Sequence, residues 1–255
     1  DGEVIFAGAT QNISNTNHFI NFEKVTVNDG STTNILAGSA ATVNGDLLVN
    51  PNGKFYLKTP ANKNPSGSLI TKSTITSTDA NDIIVERYFT VTNRYQYFST
   101  PVTNADVSQF SVAPGGLLNK NVYRYNENVD VSPNPTDTKY VTWTSSGLQV
   151  AWVSVATLTP GTYFSDATGY ITYNWNDLMI NFEGGNGRLH NDVSYSPTVT
   201  FNANDGNGNY FDGWNLVGNP YPCALDWSIG SWTKTGITRS IYFWNGANYV
   251  YFNTG

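Results

Sequence analysis

Cysteine, methionine and histidine are nearly missing from this chain: its 255 residues include one Cys, one Met and two His. A lone thiol, Cys223, excludes an intrachain disulfide and any zinc site built on several cysteines. His18 and His190 stand far apart in sequence, and neither sits in an HExxH, HxH or Cys-His spacing. No GxSxG elbow, P-loop or dinucleotide fingerprint occurs. Charge is scarce as well: Asp, Glu, Lys and Arg make up 13%, about half the share of an average soluble domain. The net charge is −6 and no Lys/Arg cluster interrupts it, which excludes the electrostatic footprint of a nucleic-acid-binding protein. No apolar run approaches the ~20 residues that span a bilayer. The opening residues lack the basic and apolar regions of a signal peptide. Their pattern reads as already under way, as in a segment of a longer polypeptide.

Helical periodicity is also absent, and what replaces it is strand-like. Aromatic residues make up 14% of the chain, and Val, Ile, Thr, Tyr and Phe gather in short runs bounded by Gly, Pro, Asn and Asp. Up to about Leu57 these runs are short and regularly spaced. Val25-Thr26-Val27-Asn28, Thr42-Val43-Asn44-Gly45 and Leu48-Val49-Asn50 repeat one cell, aliphatic residues followed by Asn with Gly close by. Such a cell buries its apolar side only by stacking on the next, which predicts a parallel β-solenoid. Val25, Val27, Val43, Leu48 and Phe55 are then expected inward, with Asn-Gly and Asp-Gly pairs at corners needing φ > 0. A meander with Asn-Gly hairpins is the competing reading.

Residues 60–78 shift to Asn, Lys, Ser, Thr and Pro and read as a connection or an irregular final rung. From Asp82 onward about ten longer, more aromatic strands follow without a helix, which predicts a two-sheet sandwich of jelly-roll type with its tryptophans between the sheets. The expected fold class is therefore all-β: a short parallel β-solenoid with its connection over 1–80, then a jelly-roll-like β-sandwich over 81–255.

Several segments resemble a known group of proteins. Phe6, Gly8, Gln11, Ile13, Phe22, Val25, Val27, Val43, Asn44, Gly45, Leu47, Leu48, Val49 and Gly53 follow a solenoid-repeat pattern of large secreted proteins of the Bacteroidetes. The sandwich that commonly follows such repeats is matched by VERYFTV (Val85–Val91), YQYFSTPV (Tyr95–Val102), LTPGTYF (Leu158–Phe164) and IYFWNGANYVYFNTG (Ile241–Gly255). Its most specific part here is GWNLVGNPYPCALDW (Gly213–Trp227). Thr162 stands where the family's turn carries a second glycine. The resemblance implies export through the type IX secretion system, whose translocon would be a transient partner. It also implies an extracellular, cell-surface location and a role as an adhesin or gliding-motility component. The chain ends at Asn253-Thr254-Gly255 without the sorting domain that this export route uses, which again reads as a segment.

Candidate sites follow from chemistry. In the GNPYP segment, Gly218 is free to adopt backbone closed to other residues, and Pro220 and Pro222 flank Tyr221 in a rigid turn; a cis bond at either X-Pro would mark a tight turn. Trp175, Trp214, Tyr221 and Trp227 are candidate ligand-binding residues, with Trp214, Tyr221 and Trp227 forming a sugar-stacking platform. The alternative packs Trp214 and Trp227 beneath the corner. Asn204 to Asp212 sets oxygen-bearing side chains around glycines, so Asp205, Asn207, Asn209 and Asp212 are candidate calcium ligands. The closing bidentate Glu of an EF-hand is missing, and the same residues suit a plain hairpin loop. Calcium is the only cofactor in view, and the fold is not expected to depend on it. Glu86, Glu127, Glu183, Asp192, Asp212 and Asp226 show no pairing suited to glycoside hydrolysis, and Cys223 reads as a small packing residue. No catalytic residues and no enzyme activity are expected. The leading expectation is a non-catalytic stalk and head whose partner is a surface polysaccharide or protein. A carbohydrate-binding module of a secreted polysaccharide-degrading enzyme is the alternative.

Overall fold

The computed structural model describes residues 2–15, 19–60, 66–90, 95–110, 122–126, 140–142, 149–155, 160–173, 177–191, 194–201, 213–228, 233–238, 240–245 and 247–253. The chain is all-β, and among the described residues no helix is long and apolar enough to cross a membrane. Two compact units are present, Asp1–Cys223 and Ala224–Gly255.

The first unit begins as a coil. Strands β1 (Glu3–Phe6), β2 (Thr10–Ile13) and β3 (Phe19–Phe22) make one rung, and β4 (Lys24–Val27), β5 (Thr32–Ile35) and β6 (Ala40–Val43) the next. Strands β7 (Leu47–Val49), β8 (Lys54–Leu57) and β9 (Ser68–Thr71) follow, then β10 (Ile75–Thr76) and β11 (Ile83–Phe89). These strands stack into three parallel sheets, β1-β4-β7-β10, β2-β5-β8-β11 and β3-β6-β9. Partners lie 21 or 22 residues apart, as in Glu3↔Lys24, Thr10↔Thr32 and Val25↔Leu47. The pairing is parallel throughout, so the Asn-Gly cells are corners between rungs and not antiparallel hairpins.

Period-2 alternation sends Val25, Val27, Val43, Leu47, Val49, Phe55 and Leu57 into one hydrophobic core. Each such burial contributes about 1.5–3 kcal/mol. Leu48, expected inward, is half-buried on the outer face. It pairs with Thr26, while Leu47 and Val49 pair with the buried Val25 and Val27, so the inward register is one residue off the expected one. The Thr42–Gly45 cell belongs to another face of the coil than the Val25 and Leu48 cells.

Polar ladders join successive rungs: Asn34 Nδ2 of β5 donates to Asn12 Oδ1 of β2 (2.9 Å), and at the corners Asn52 Nδ2 donates to Asp29 Oδ1 (3.0 Å) and Ser73 Oγ to Asp46 Oδ1 (2.8 Å). Gly30 takes the positive φ (67°) expected at a corner. Gly45 serves differently, because a Cβ there would lie 2.4 Å from the Glu23 carbonyl oxygen.

The stretch expected to be a connection or an irregular final rung, 60–78, contains β9 and β10, so coiling continues through it. Its extra residues lengthen the spacing to 28, as in Phe55↔Ile83. The boundary expected near residue 80 falls inside the first compact unit, because β11 stacks on β8 as the next strand of the second sheet. Two ion pairs hold that step. Lys54 Nζ meets the buried Asp82 (3.1 Å), and Lys58 meets Glu86. Burial pushes the Asp82 carboxyl up, but the Asp79 N–H, Lys54 and Thr78 outweigh it and leave it below the ordinary range.

Beyond β11 the pairing turns antiparallel. Strands β12 (Gln96–Phe98), β13 (Val122–Tyr125), β14 (Tyr140–Thr142), β15 (Gln149–Ser154) and β16 (Tyr170–Thr172) form one sheet in the order β12-β16-β13-β15-β14. β17 (Leu178–Glu183) pairs antiparallel with β11 and so extends the coil's second sheet. Over the part of 81–255 that lies in the first unit, where a jelly-roll-like sandwich is expected, the described residues form this one antiparallel sheet and the added strand β17. Residues 197–201 and 213–218, expected as strands, are irregular, with Asn215 bonded to both the N–H and the carbonyl of Thr200 (3.0 and 2.9 Å).

Among the described residues the rings at the centre are mostly phenylalanines, not tryptophans. Phe89, Phe98, Phe110, Phe164 and Tyr170 form a continuous cluster with centroids 4.7–5.5 Å apart. Phe carries no polar group that burial must satisfy, whereas each indole N–H needs a partner. Trp214 and Trp244 are exposed and Trp152 is half-buried against Tyr125.

Among the described residues, the second unit holds one antiparallel hairpin, β18 (Ser240–Trp244) and β19 (Tyr249–Asn253).

Candidate functional site

The GNPYP corner is a latch between the coil and the antiparallel sheet. A Cβ on Gly218 would lie 2.4 Å from the Thr168 carbonyl oxygen and 2.5 Å from Ser99 Cβ. Glycine is therefore required by close approach and not by a left-handed φ, which Gly218 does not adopt. Ser99 Oγ, just past β12, donates to the Asn219 carbonyl (2.6 Å). Asn219 Nδ2 donates to the Cys223 carbonyl (2.6 Å), and Asn219 Oδ1 accepts from the Tyr221 N–H (2.9 Å). On the coil side, the Leu69 N–H of β9 donates to the Pro222 carbonyl (3.1 Å). No peptide in the segment is cis; the turn is held by these bonds.

His190 completes the latch. Its buried ring bonds the Pro220 carbonyl through Nδ1 (2.7 Å), so Nδ1 carries the hydrogen. Nε2 lies 3.4 Å from Asp166 Oδ1 without forming a hydrogen bond; it gains an ion pair only on protonation. Burial pulls the imidazole below its ordinary range, against the opposing influence of the Pro220 carbonyl and Asp166. The Tyr195 ring lies 4.7 Å from His190 and 5.7 Å from Tyr221, edge-on to the latter. Burial, with Asp166 and Tyr221 nearby, pushes the Tyr195 phenol up to about 12. His190 is thus a neutral structural donor; its isolation in sequence carries no sign of this role.

Against this latch lies a groove of about 320 Å³, walled by Arg87, Tyr88 and Phe89 of β11, residues 96–99 and Pro101, and Asn219 and Tyr221 of the corner. Two of the segments that carry the family resemblance, VERYF and GNPYP, therefore face one another across it. Within VERYF the roles divide. Glu86 is taken by Lys58 and by the Thr59 N–H (3.2 Å). Tyr88 bonds Asp177, whose carboxylate raises the phenol's pKa. Phe89 joins the ring cluster. Arg87 makes one hydrogen bond, from Nη1 to the Glu86 carbonyl (2.9 Å), and forms no ion pair with any described carboxylate. Burial lowers its guanidinium to about 10, which still leaves it charged at neutral pH.

The residues singled out from sequence separate. Tyr221 lines the groove, while Trp214 is exposed. Trp227 belongs to the second compact unit, where the Lys234 ammonium sits 4.4 Å above its ring. Trp175 and the candidate calcium ligands Asp205, Asn207, Asn209 and Asp212 lie outside the described residues, as do Glu127 and Asp192. Glu183 pairs with Arg188 (3.3 Å), and Asp226 accepts from the Ser228 N–H (2.8 Å). Among the described residues no cluster of three or more His, Cys, Asp or Glu is placed to hold a metal ion. Burial raises the Cys223 thiol, opposite to what a nucleophile needs. Sequence reasoning missed Arg87, which it met only as a letter of VERYFTV. A lone cation in a strand facing Tyr and Phe was the available signal.

The second unit carries a separate feature. In the hairpin, Tyr242 pairs with Tyr251 and Trp244 with Tyr249, and strand alternation puts all four on one exposed face. Their rings lie 5.9 and 5.2 Å apart.

The chain belongs to the family described as "Domain of unknown function (DUF8693)", whose model matches residues 3–253. No curated protein and no solved structure matches it.

Proposed function

We propose that this member of the DUF8693 family is a non-catalytic binding segment of a large secreted cell-surface protein, of adhesin or gliding-motility type, exported through the type IX secretion system. In this reading the coil is a stalk and the part that follows it a surface-exposed head. The partner is a surface polysaccharide or protein, and the translocon is a transient partner during export. The observation that carries the reading is the groove beside the GNPYP corner, where tyrosine rings and amide and hydroxyl groups converge around one cation. Aromatic faces with a few placed polar groups are what recognition of a hydroxylated ligand uses. The groups that could otherwise do acid–base or nucleophilic work nearby are occupied: His190 holds Pro220, and the Cys223 thiol is raised.

The alternative, a carbohydrate-binding module of a secreted polysaccharide-degrading enzyme, draws its support from the Tyr242, Trp244, Tyr249 and Tyr251 face of the hairpin. One set of assays tests both. On a glycan array and a panel of glycoside and polyuronate substrates, the chain is expected to bind without turnover. Turnover abolished by Glu183→Ala would overturn the non-catalytic reading. Binding to insoluble polysaccharide that is lost in Trp244→Ala, with Tyr221→Ala unaffected, would move the assignment to the module.

A further inference from the structure

Among the described residues, Arg87 is the one charged group in the wall of the groove. Its guanidinium offers five N–H donors in a fixed fork, and one nitrogen is used, by the Glu86 carbonyl. Of the described carboxylates nearby, Glu86 is committed to Lys58 and Thr59 and Asp177 to the Tyr88 hydroxyl. The Arg87 side chain is half-buried and lines the groove. A half-buried cation with most of its donors unfilled is costly unless a counter-charge completes it. A carboxylate does so best, accepting two parallel N–H bonds. Around it stand Tyr88, Tyr97 and Tyr221, whose rings offer faces for C–H-rich sugar rings.

We propose that this groove binds an acidic saccharide, a short uronate-containing segment, with the uronate carboxylate on Arg87 and sugar rings against Tyr88, Tyr97 and Tyr221. This rests on the binding reading above and names its ligand class. A neutral sugar would leave the guanidinium without a counter-charge. An acidic peptide would satisfy Arg87 but makes little use of three tyrosines. The volume, near the lower end of the ~300–1,000 Å³ typical of small-molecule sites, suits a short stretch of saccharide. The net charge of −6 repels a long polyanion at a distance, so recognition depends on the local contact with Arg87.

Titration calorimetry of the whole 255-residue chain tests this with three probes: a set of uronate trisaccharides (galacturonate, glucuronate, mannuronate), their neutral hexose counterparts, and triglutamate. At least one uronate is expected to bind at least tenfold tighter than its neutral counterpart and than triglutamate. Arg87→Gln should lose that preference, Arg87→Lys should retain part of it, and Tyr221→Ala should weaken uronate and neutral sugar alike. Equal binding of neutral and acidic sugars, indifferent to Arg87→Gln, would overturn the acidic assignment while leaving saccharide binding standing. Triglutamate binding as tightly as the uronates would overturn the saccharide assignment. If no uronate binds, the inference fails; binding of another glycan on the array would still keep the broader reading. Should Arg87→Gln not fold, tyrosine-ring shifts in the unaltered chain, larger with uronate than with its neutral counterpart, read the same contrast.

Discussion

At the residue scale, His190 shows how one buried ring couples stability to pH. Its imidazole must be neutral to suit its burial, and its pKa in the folded chain is below the ~6.5 of an exposed histidine. As pH falls through ~6.5 the unfolded chain therefore takes up a proton before the folded chain does. Stability declines across the window from ~6.5 down to the lowered folded value, and this loss is complete below it. Asp82 and Asp106 behave differently. Both carboxyls are held low despite burial, by donors from Asp79, Lys54 and Thr78 in one case and from Gly161 and Ser108 in the other. Their contribution is intact above the unfolded value of ~3.9 and is lost as pH falls through the folded one. Melting temperature measured from pH 8 to 3 should thus fall in two steps. His190→Gln, which keeps a donor for the Pro220 carbonyl, should remove the upper step and leave the lower. An unchanged upper step in that variant would assign the loss to another group.

At the scale of the strand, β7 separates register from composition. Leu47 and Leu48 are adjacent and chemically identical, yet Leu47 is fully buried and Leu48 is half-exposed on the outer face. Leu47→Ala should cost about 2–5 kcal/mol, as for other large-to-small core changes, whereas Leu48→Ala should cost less than about 1 kcal/mol. Urea melts of the two variants check this, and equal costs would mean that the β4–β7 register is wrong. The first rung behaves unlike the inner ones: Val4, Ile5 and Phe19 are exposed because no described strand stacks above them. Stacking, not residue type, is what buries a β-branched side chain in such a coil.

At the scale of the whole molecule, the first unit has one continuous core that runs from the coil through β11 and β17 into the ring cluster. Its stability is therefore expected to be cooperative and independent of any ion bound by residues 204–212. Thermal melts with calcium and with chelator should coincide. A large drop in melting temperature on chelation would make the ion a structural ligand, through the stabilisation that any native-state ligand confers.

The all-β class, the repeating cell of the coil and the importance of GNPYP were legible in the sequence. Each depends on local periodicity or on backbone chemistry confined to a few residues: period-2 alternation, corner-forming Asn and Gly, prolines around one tyrosine. The inward register at Leu47, the role of Gly218 and the position of β11 were not legible. These depend on which segments, 22 to over 100 residues apart, come within hydrogen-bonding distance. Gly218 is a glycine because Ser99 and Thr168 press against it, and nothing in its neighbours along the chain says so. The groove is likewise a product of tertiary structure. Arg87 and Tyr221 share it because β11 completes the coil while the corner latches onto Leu69 and His190. An isolated arginine in a strand becomes a candidate ligand contact only once folding has given the neighbouring Glu86 and Asp177 other partners.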